Sequence, residues 1–108
     1  MFSYTVACTF DDPKVAEEWI AWLREGHLAD VRAAGAVDAE VIRCDTTAPG
    51  ARCEVRYHFP SRSAFEAYQR DHAPRLRADG LKRFPPERGL KYERATGEVV
   101  FTHPSSGD

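Results

Sequence analysis

The stretch AVDAEVIRCDTTAPGARCEVRYHF, residues 36–59, decides the fold. Its second half, Arg52 to Phe59, alternates strictly. Cys53, Val55, Tyr57 and Phe59 share one face, and Arg52, Glu54, Arg56 and His58 share the other. A period of two, rich in β-branched and aromatic residues, is a half-buried strand. Its first half, Ala36 to Asp45, is a strand of less regular phase. Val37, Ala39 and Val41 keep one parity, and Ile42 and Cys44 take the other, so a β-bulge is expected there. Between them TTAPGA supplies turn residues, and the pair is an antiparallel hairpin.

Helical spacing flanks the hairpin on both sides. Upstream, Asp11 or Asp12 can cap and Pro13 suits a first turn, which has no use for the missing N–H. The helix runs to Arg32–Ala34, with Arg32 as its last-turn cation and Gly35 as its left-handed cap. Downstream, Ser61 or Ser63 caps a helix with the stripe Phe65, Tyr68, His72 and Leu76. Pro74 cannot donate to the Arg70 carbonyl, so that helix should kink or restart near Ala73, and Gly80 should end it. Outermost, Phe2, Tyr4, Val6, Cys8 and Phe10 alternate as a first strand. LKYERA and EVVF form a last one, continuing past Gly97. The order β-α-β-β-α-β predicts an α+β ferredoxin-like sandwich, a four-stranded antiparallel sheet with two helices on one face. Residues 1–102 form this single domain, and 103–108 a disordered polar tail.

The two helices echo each other. HLADVRAAG (27–35) and HAPRLRADG (72–80) share His, Arg, Ala and Gly in register. Ile20, Leu23 and Val31 correspond to Phe65, Tyr68 and Leu76. Each histidine therefore stands on the apolar stripe of its helix, facing the sheet. Histidine titrates near neutrality, at about 6.5, so modest changes of surroundings set its role. The candidate catalytic residues are His27 and His72, as general base or hydrogen-bond donor; Asp30 and Asp71 are candidates to orient them, the alternative for Asp71 being a role in the restart at Pro74. Trp22, Tyr68 and Arg75 are the candidate ligand-binding residues. The plainer alternative is that both imidazoles are satisfied core residues bonded to neighbouring polar groups.

Composition narrows the function classes. The chain has 108 residues, the size of one domain, and a formal net charge of −2 with basic and acidic residues interleaved. No basic face for a nucleic acid emerges. No apolar run approaches the roughly 20 residues of a membrane span, and the N-terminus lacks the basic start of a signal peptide. Cys8, Cys44 and Cys53 are scattered, which reads as reduced thiols in a cytoplasmic protein, buried as small hydrophobes. A Cys44–Cys53 cross-strand contact is the alternative. No metal is expected. The position three residues before each histidine holds Arg24 or Gln69 rather than Glu, and H-E-x-x-H is absent. Neither a G-x-S-x-G elbow nor a Gly-rich phosphate loop occurs.

The segments EEWIAWLREGHLADVRAAG and YQRDHAPRLRADGLKRFP, with the hairpin, resemble a bacterial family of domains of unknown function (domain of unknown function 4286) in the dimeric α+β barrel superfamily. The resemblance spans about Phe2 to Val100. It implies a homodimer whose sheets pair to close a barrel, leaving a cavity between sheet and helices in each protomer. The wider superfamily includes cofactor-free monooxygenases, isomerases and haem-degrading enzymes, and the near family carries no catalytic assignment to transfer. The functional expectation is a cofactor-free dimer binding a small molecule in a Trp/His/Tyr-lined pocket, as a monooxygenase- or isomerase-like enzyme. The alternative is a non-catalytic structural or regulatory dimer module.

Overall fold

The computed structural model describes residues 1–104. Of the expected tail, His103 and Pro104 are exposed and outside any helix or strand, and residues 105–108 lie outside the described residues. Strand β1 spans Phe2–Phe10 and is followed by helix α1 (Pro13–Trp22), a π turn (Leu23–His27) and α2 (Leu28–Ala33). The hairpin is β2 (Asp38–Cys44) and β3 (Ala51–Phe59). Then come α3 (Arg62–Asp71), α4 (Ala73–Arg83), a short 3₁₀ turn (Pro86–Arg88) and β4 (Leu90–Glu98). The sheet order is β2-β3-β1-β4, antiparallel throughout, with the helices on one face, which is the ferredoxin-like arrangement.

Alternation places the core. Phe2, Tyr4, Cys8 and Phe10 of β1 and Cys53, Val55, Tyr57 and Phe59 of β3 are buried against the helices. From above, Trp19, Leu23, Val31, Phe65, Tyr68 and Leu76 meet them. Burying side chains of this size contributes about 1.5–3 kcal/mol each. The helix starts behave as expected. The Asp12 carboxylate accepts from the Lys14 amide at 2.9 Å and the Ser61 hydroxyl accepts from the Ala64 amide at 3.1 Å. Pro74 sits near the start of α4, after the break at His72, so its missing donor costs nothing. Gly35, at φ +132°, closes α2 in backbone space that other residues avoid.

Three expectations are corrected. No bulge interrupts the hairpin, since β2 and β3 pair in unbroken register from Asp38–His58 to Cys44–Arg52. The mixed parity has another cause: β2 is an edge strand, and Arg43 takes a helix-side position by reaching out to the Glu17 carboxylate at 2.7 and 2.8 Å. Ile42 and Cys44 therefore lie on the opposite face. Cys44 and Cys53 consequently point to opposite sides of the sheet and cannot meet. Cys53 instead faces Cys8 across the β1–β3 pair. Finally, Gly80 does not end its helix, which continues to Arg83.

The thiols give a direct check on this packing. Burial pushes the Cys8 thiol up to about 12 and raises that of Cys53. Iodoacetamide on native protein is expected to modify Cys44 alone, and all three cysteines only in denaturant. Intact-mass spectra showing native adducts on Cys8 or Cys53 would refute the closed sheet face.

Candidate functional site

The helical stretch from Pro13 to Ala33 is not uniform. At the π turn the Leu28 amide reaches back to the Leu23 carbonyl, five residues away. One extra residue per turn brings positions five apart into line. Trp22 and His27 stand five apart, and their rings stack with centroids 4.2 Å apart and planes 21° from parallel. On its other side Trp22 packs on Phe84, centroids 5.5 Å apart. It also lies over Gly80: a Cβ built on that residue would come within 3.1 Å of the indole. Gly80 is thus the seat of a tryptophan rather than a helix end.

Under this stack lies a cavity of about 60 Å³ between sheet and helices. Its sheet-side lining is Tyr4, Val6, Val55, Tyr57, Tyr92 and Arg94, and its helix-side lining includes Trp19, Trp22, His27, Tyr68, Leu76 and Arg77. On the far side of the stack a second, outward-facing recess is bounded by Glu25, Asp30, Asp79 and Arg83, with Trp22 and His27 again in its wall. His27 therefore separates an aromatic interior from an acidic exterior. Burial lowers its pKa from the ordinary value, and Asp30 and Asp79 oppose that shift. The ring is neutral at neutral pH, the form that accepts a proton.

The phenols are the other notable groups. The Tyr92 hydroxyl donates to the Phe84 carbonyl at 3.0 Å. Among the described residues those of Tyr4, Tyr57 and Tyr68 have no such partner. No fully enclosed side-chain polar atom is left unbonded among the described residues, so their oxygens are not sealed off, and all three residues line the cavity. Burial raises the pKa of Tyr57 and Tyr68, the latter to about 12 although Arg77, Arg94 and Arg75 draw it down. These groups are hydrogen-bond donors at neutral pH and not anions.

The sequence candidates divide. Trp22, His27 and Tyr68 line the cavity. His72 does not: it sits in the break between α3 and α4, half-buried, with its Nδ1 3.4 Å from an Arg75 guanidinium nitrogen. The expected orienters are engaged otherwise, since Asp71 pairs with Arg70 at 3.0 Å and Asp30 acts on His27 only through its charge. Arg75 is not among the lining residues, which include Arg77 and Arg94 instead. Tyr4 and Tyr57 were legible from the alternation as inward-facing. Arg94 was not, because it occupies an inward position of β4 that the pattern leaves polar. Among the described residues no group of three His, Cys, Asp or Glu side chains is placed to share a metal ion, and no helix is long and apolar enough to cross a membrane.

Several solved structures share this fold. A dimeric ferredoxin-like protein from an uncultured marine organism superposes with a TM-score of 0.73 at 16% identity, covering 97% of this chain and 100% of that one. HapK from Hahella chejuensis gives 0.68 at 22% identity, covering 99% and 100%. The monooxygenase ActVA-Orf6 of Streptomyces coelicolor, solved in complex with nanaomycin D, gives 0.64 at 18% identity, covering 96% and 92%. Identities this low speak to fold alone. A search among curated proteins finds no sequence match. The family is nonetheless defined, because a family model covers residues 1–95: this chain belongs to the domain of unknown function family DUF4286.

Proposed function

We propose that the protein is a homodimer that binds a small conjugated organic molecule in the cavity beneath Trp22, with His27 taking or returning a proton. The observation that carries this is the set of phenol oxygens of Tyr4, Tyr57 and Tyr68, which belong to cavity-lining residues, are not sealed off and have no protein partners among the described residues. Each such group costs about 1–3 kcal/mol if left dry, so the occupant is polar in part. The aromatic walls favour a flat one. His27 supplies the base, and a proton it accepts can leave through the recess beside Asp30 and Asp79. His72 and Arg75 brace the α3–α4 junction, which holds Tyr68 and Arg77 over the cavity. The wider group includes a monooxygenase with a bound organic ligand, nanaomycin D, which supports an enzymatic reading of such a cavity.

Dimerisation has its own support. Similar structures are described as dimeric. The sheet face opposite the helices carries Arg52, Arg56 and Lys91 against Asp38, Glu40, Glu54 and Glu93, a mixture suited to a second copy of itself. Val100 and Phe101, 92% and 77% exposed, follow β4 at the sheet's edge and offer apolar surface.

A thermal-shift screen of hydroxylated and carbonyl-bearing one- and two-ring aromatics tests the ligand site. A compound at ~100 times its Kd adds about 2.7 kcal/mol of stability. His27→Gln should retain that shift and lose turnover of the same compound. Retained turnover would leave the protein a binding module. No shift from any compound, with only water in the cavity of a crystal, would sink the reading. Sedimentation equilibrium at micromolar concentration should give twice the chain mass.

A further inference from the structure

We propose that the cavity's occupant is an anion, a planar conjugated compound bearing a carboxylate or ionised hydroxyl that Arg77 and Arg94 hold together. This rests on the cavity being a ligand site. The cavity lining contains two arginines and no aspartate or glutamate. Arg77 comes from α4 and Arg94 from β4, the helix and the strand that follows it, so the fold brings a helix side chain and a sheet side chain to one space. Neither forms an ion pair among the described residues, a state they share with Arg24, Arg32, Arg75 and Arg83, whereas Arg43, Arg52, Arg56, Arg62, Arg70 and Arg88 are paired. The whole chain carries a formal charge of −2, so a carboxylate-free cavity with two cations runs against the average.

Of the nearby carboxylates, Glu25, Asp30 and Asp79 line the outer recess beyond the Trp22–His27 stack together with Arg83, and Glu54 and Glu93 share a separate surface recess with Arg94. The cavity lining thus carries arginine and no carboxylate, whereas the recess beyond His27 is mainly acidic. Both arginines are exposed to solvent as well as lining the cavity, and an anion held there is attracted by both charges. A planar carboxylate or enolate matches the guanidinium fork, and hydrogen bonds to it are about twice as strong as neutral ones. Arg94 additionally lies over the Tyr92 ring, 5.6 Å from its centroid, which holds its head group at the cavity. Tyr68 lines the same cavity and feels the charges of Arg77, Arg94 and Arg75, so its hydroxyl is placed as a further donor to the anion.

The test compares salicylate with its neutral isostere salicylamide by ¹H–¹⁵N NMR titration of the full chain, reading the Trp22 indole N–H and the Gly80 amide. Salicylate is expected to bind at least about tenfold more tightly, the effect of one charge-assisted contact. In Arg94→Gln and in Arg77→Gln that advantage should largely vanish while the amide's affinity stays. If both compounds move the Trp22 and Gly80 signals with equal affinity, the cavity stands as a ligand site and the anion proposal falls. Salicylate binding unaffected by either arginine substitution overturns it as well. If neither compound moves these signals at millimolar concentration, both the anion proposal and the ligand site are refuted.

Discussion

Replacing Phe59 with alanine should cost about 3–5 kcal/mol, enough to lower the unfolding midpoint by more than about 12 °C in a domain of this size. Phe59 is fully buried at the end of β3. Its ring meets Phe65 edge-on, centroids 5.3 Å apart, and Tyr68 at 5.2 Å. It also fills the space beside Gly35, where a Cβ would lie 3.7 Å from it. One side chain thus ties the hairpin to α3 and to the end of α2. Phe59→Leu, which leaves a smaller void, should cost less. Urea denaturation of both variants measures the difference, and a loss below 1 kcal/mol for alanine, well under the usual ~3, would mean the site collapses freely.

The second large effect belongs to Trp22. Trp22→Ala removes the ring stacked on His27 and packed on Phe84, and should cost about 2–3 kcal/mol, less than for a fully enclosed indole. It also lets water reach His27. Because burial lowers the folded pKa of that imidazole, the unfolded chain binds the proton more readily. The His27 contribution to stability is therefore complete above the unfolded value of about 6.5 and is lost as pH falls through it, until the folded pKa is reached. In Trp22→Ala the folded pKa should move back towards 6.5, and this part of the acid sensitivity should disappear. Titrating the His27 Cε1 proton by NMR gives the pKa directly. A wild-type midpoint at or above about 6.5 would show that the ring is not desolvated. Trp22→Phe should restore most of both effects.

Much of the fold is legible from alternation alone. The parity of Cys53, Val55, Tyr57 and Phe59 names the buried face of β3, and the helix caps at Asp12 and Ser61 follow from side-chain chemistry. What alternation does not reveal is the use made of a strand's other face. Ile42 and Cys44 therefore suggest a bulge where the strand simply has two half-covered sides. The site is harder to read. Ile20, Leu23, His27 and Val31 fit an α-helical stripe as written, so the π turn leaves no mark in the spacing. The repeat of His27 at His72 describes two helix stripes faithfully. But Pro74 breaks the second helix at that point, and the imidazole goes to the junction rather than the cavity. Arg77 rather than Arg75 lies in the cavity lining, although both flank Leu76. Gly80 looks like a terminator because its reason for being glycine, the indole of Trp22, lies more than fifty positions away.

The π turn has a further consequence. It amounts to an α-helix carrying one surplus residue, and Gly26, around which a Cβ would find nothing within 4 Å, is the spare position. An α-helix advances about 100° per residue, so a chain lacking Gly26 would keep Leu28, Val31 and the end of α2 turned to the sheet while the bulge disappears. The wall of the cavity can thus be lengthened or shortened by a single codon without disturbing the core beneath it. The stack of Trp22 on His27 is thus a feature held by one residue more than a plain α-helix over the same span would carry.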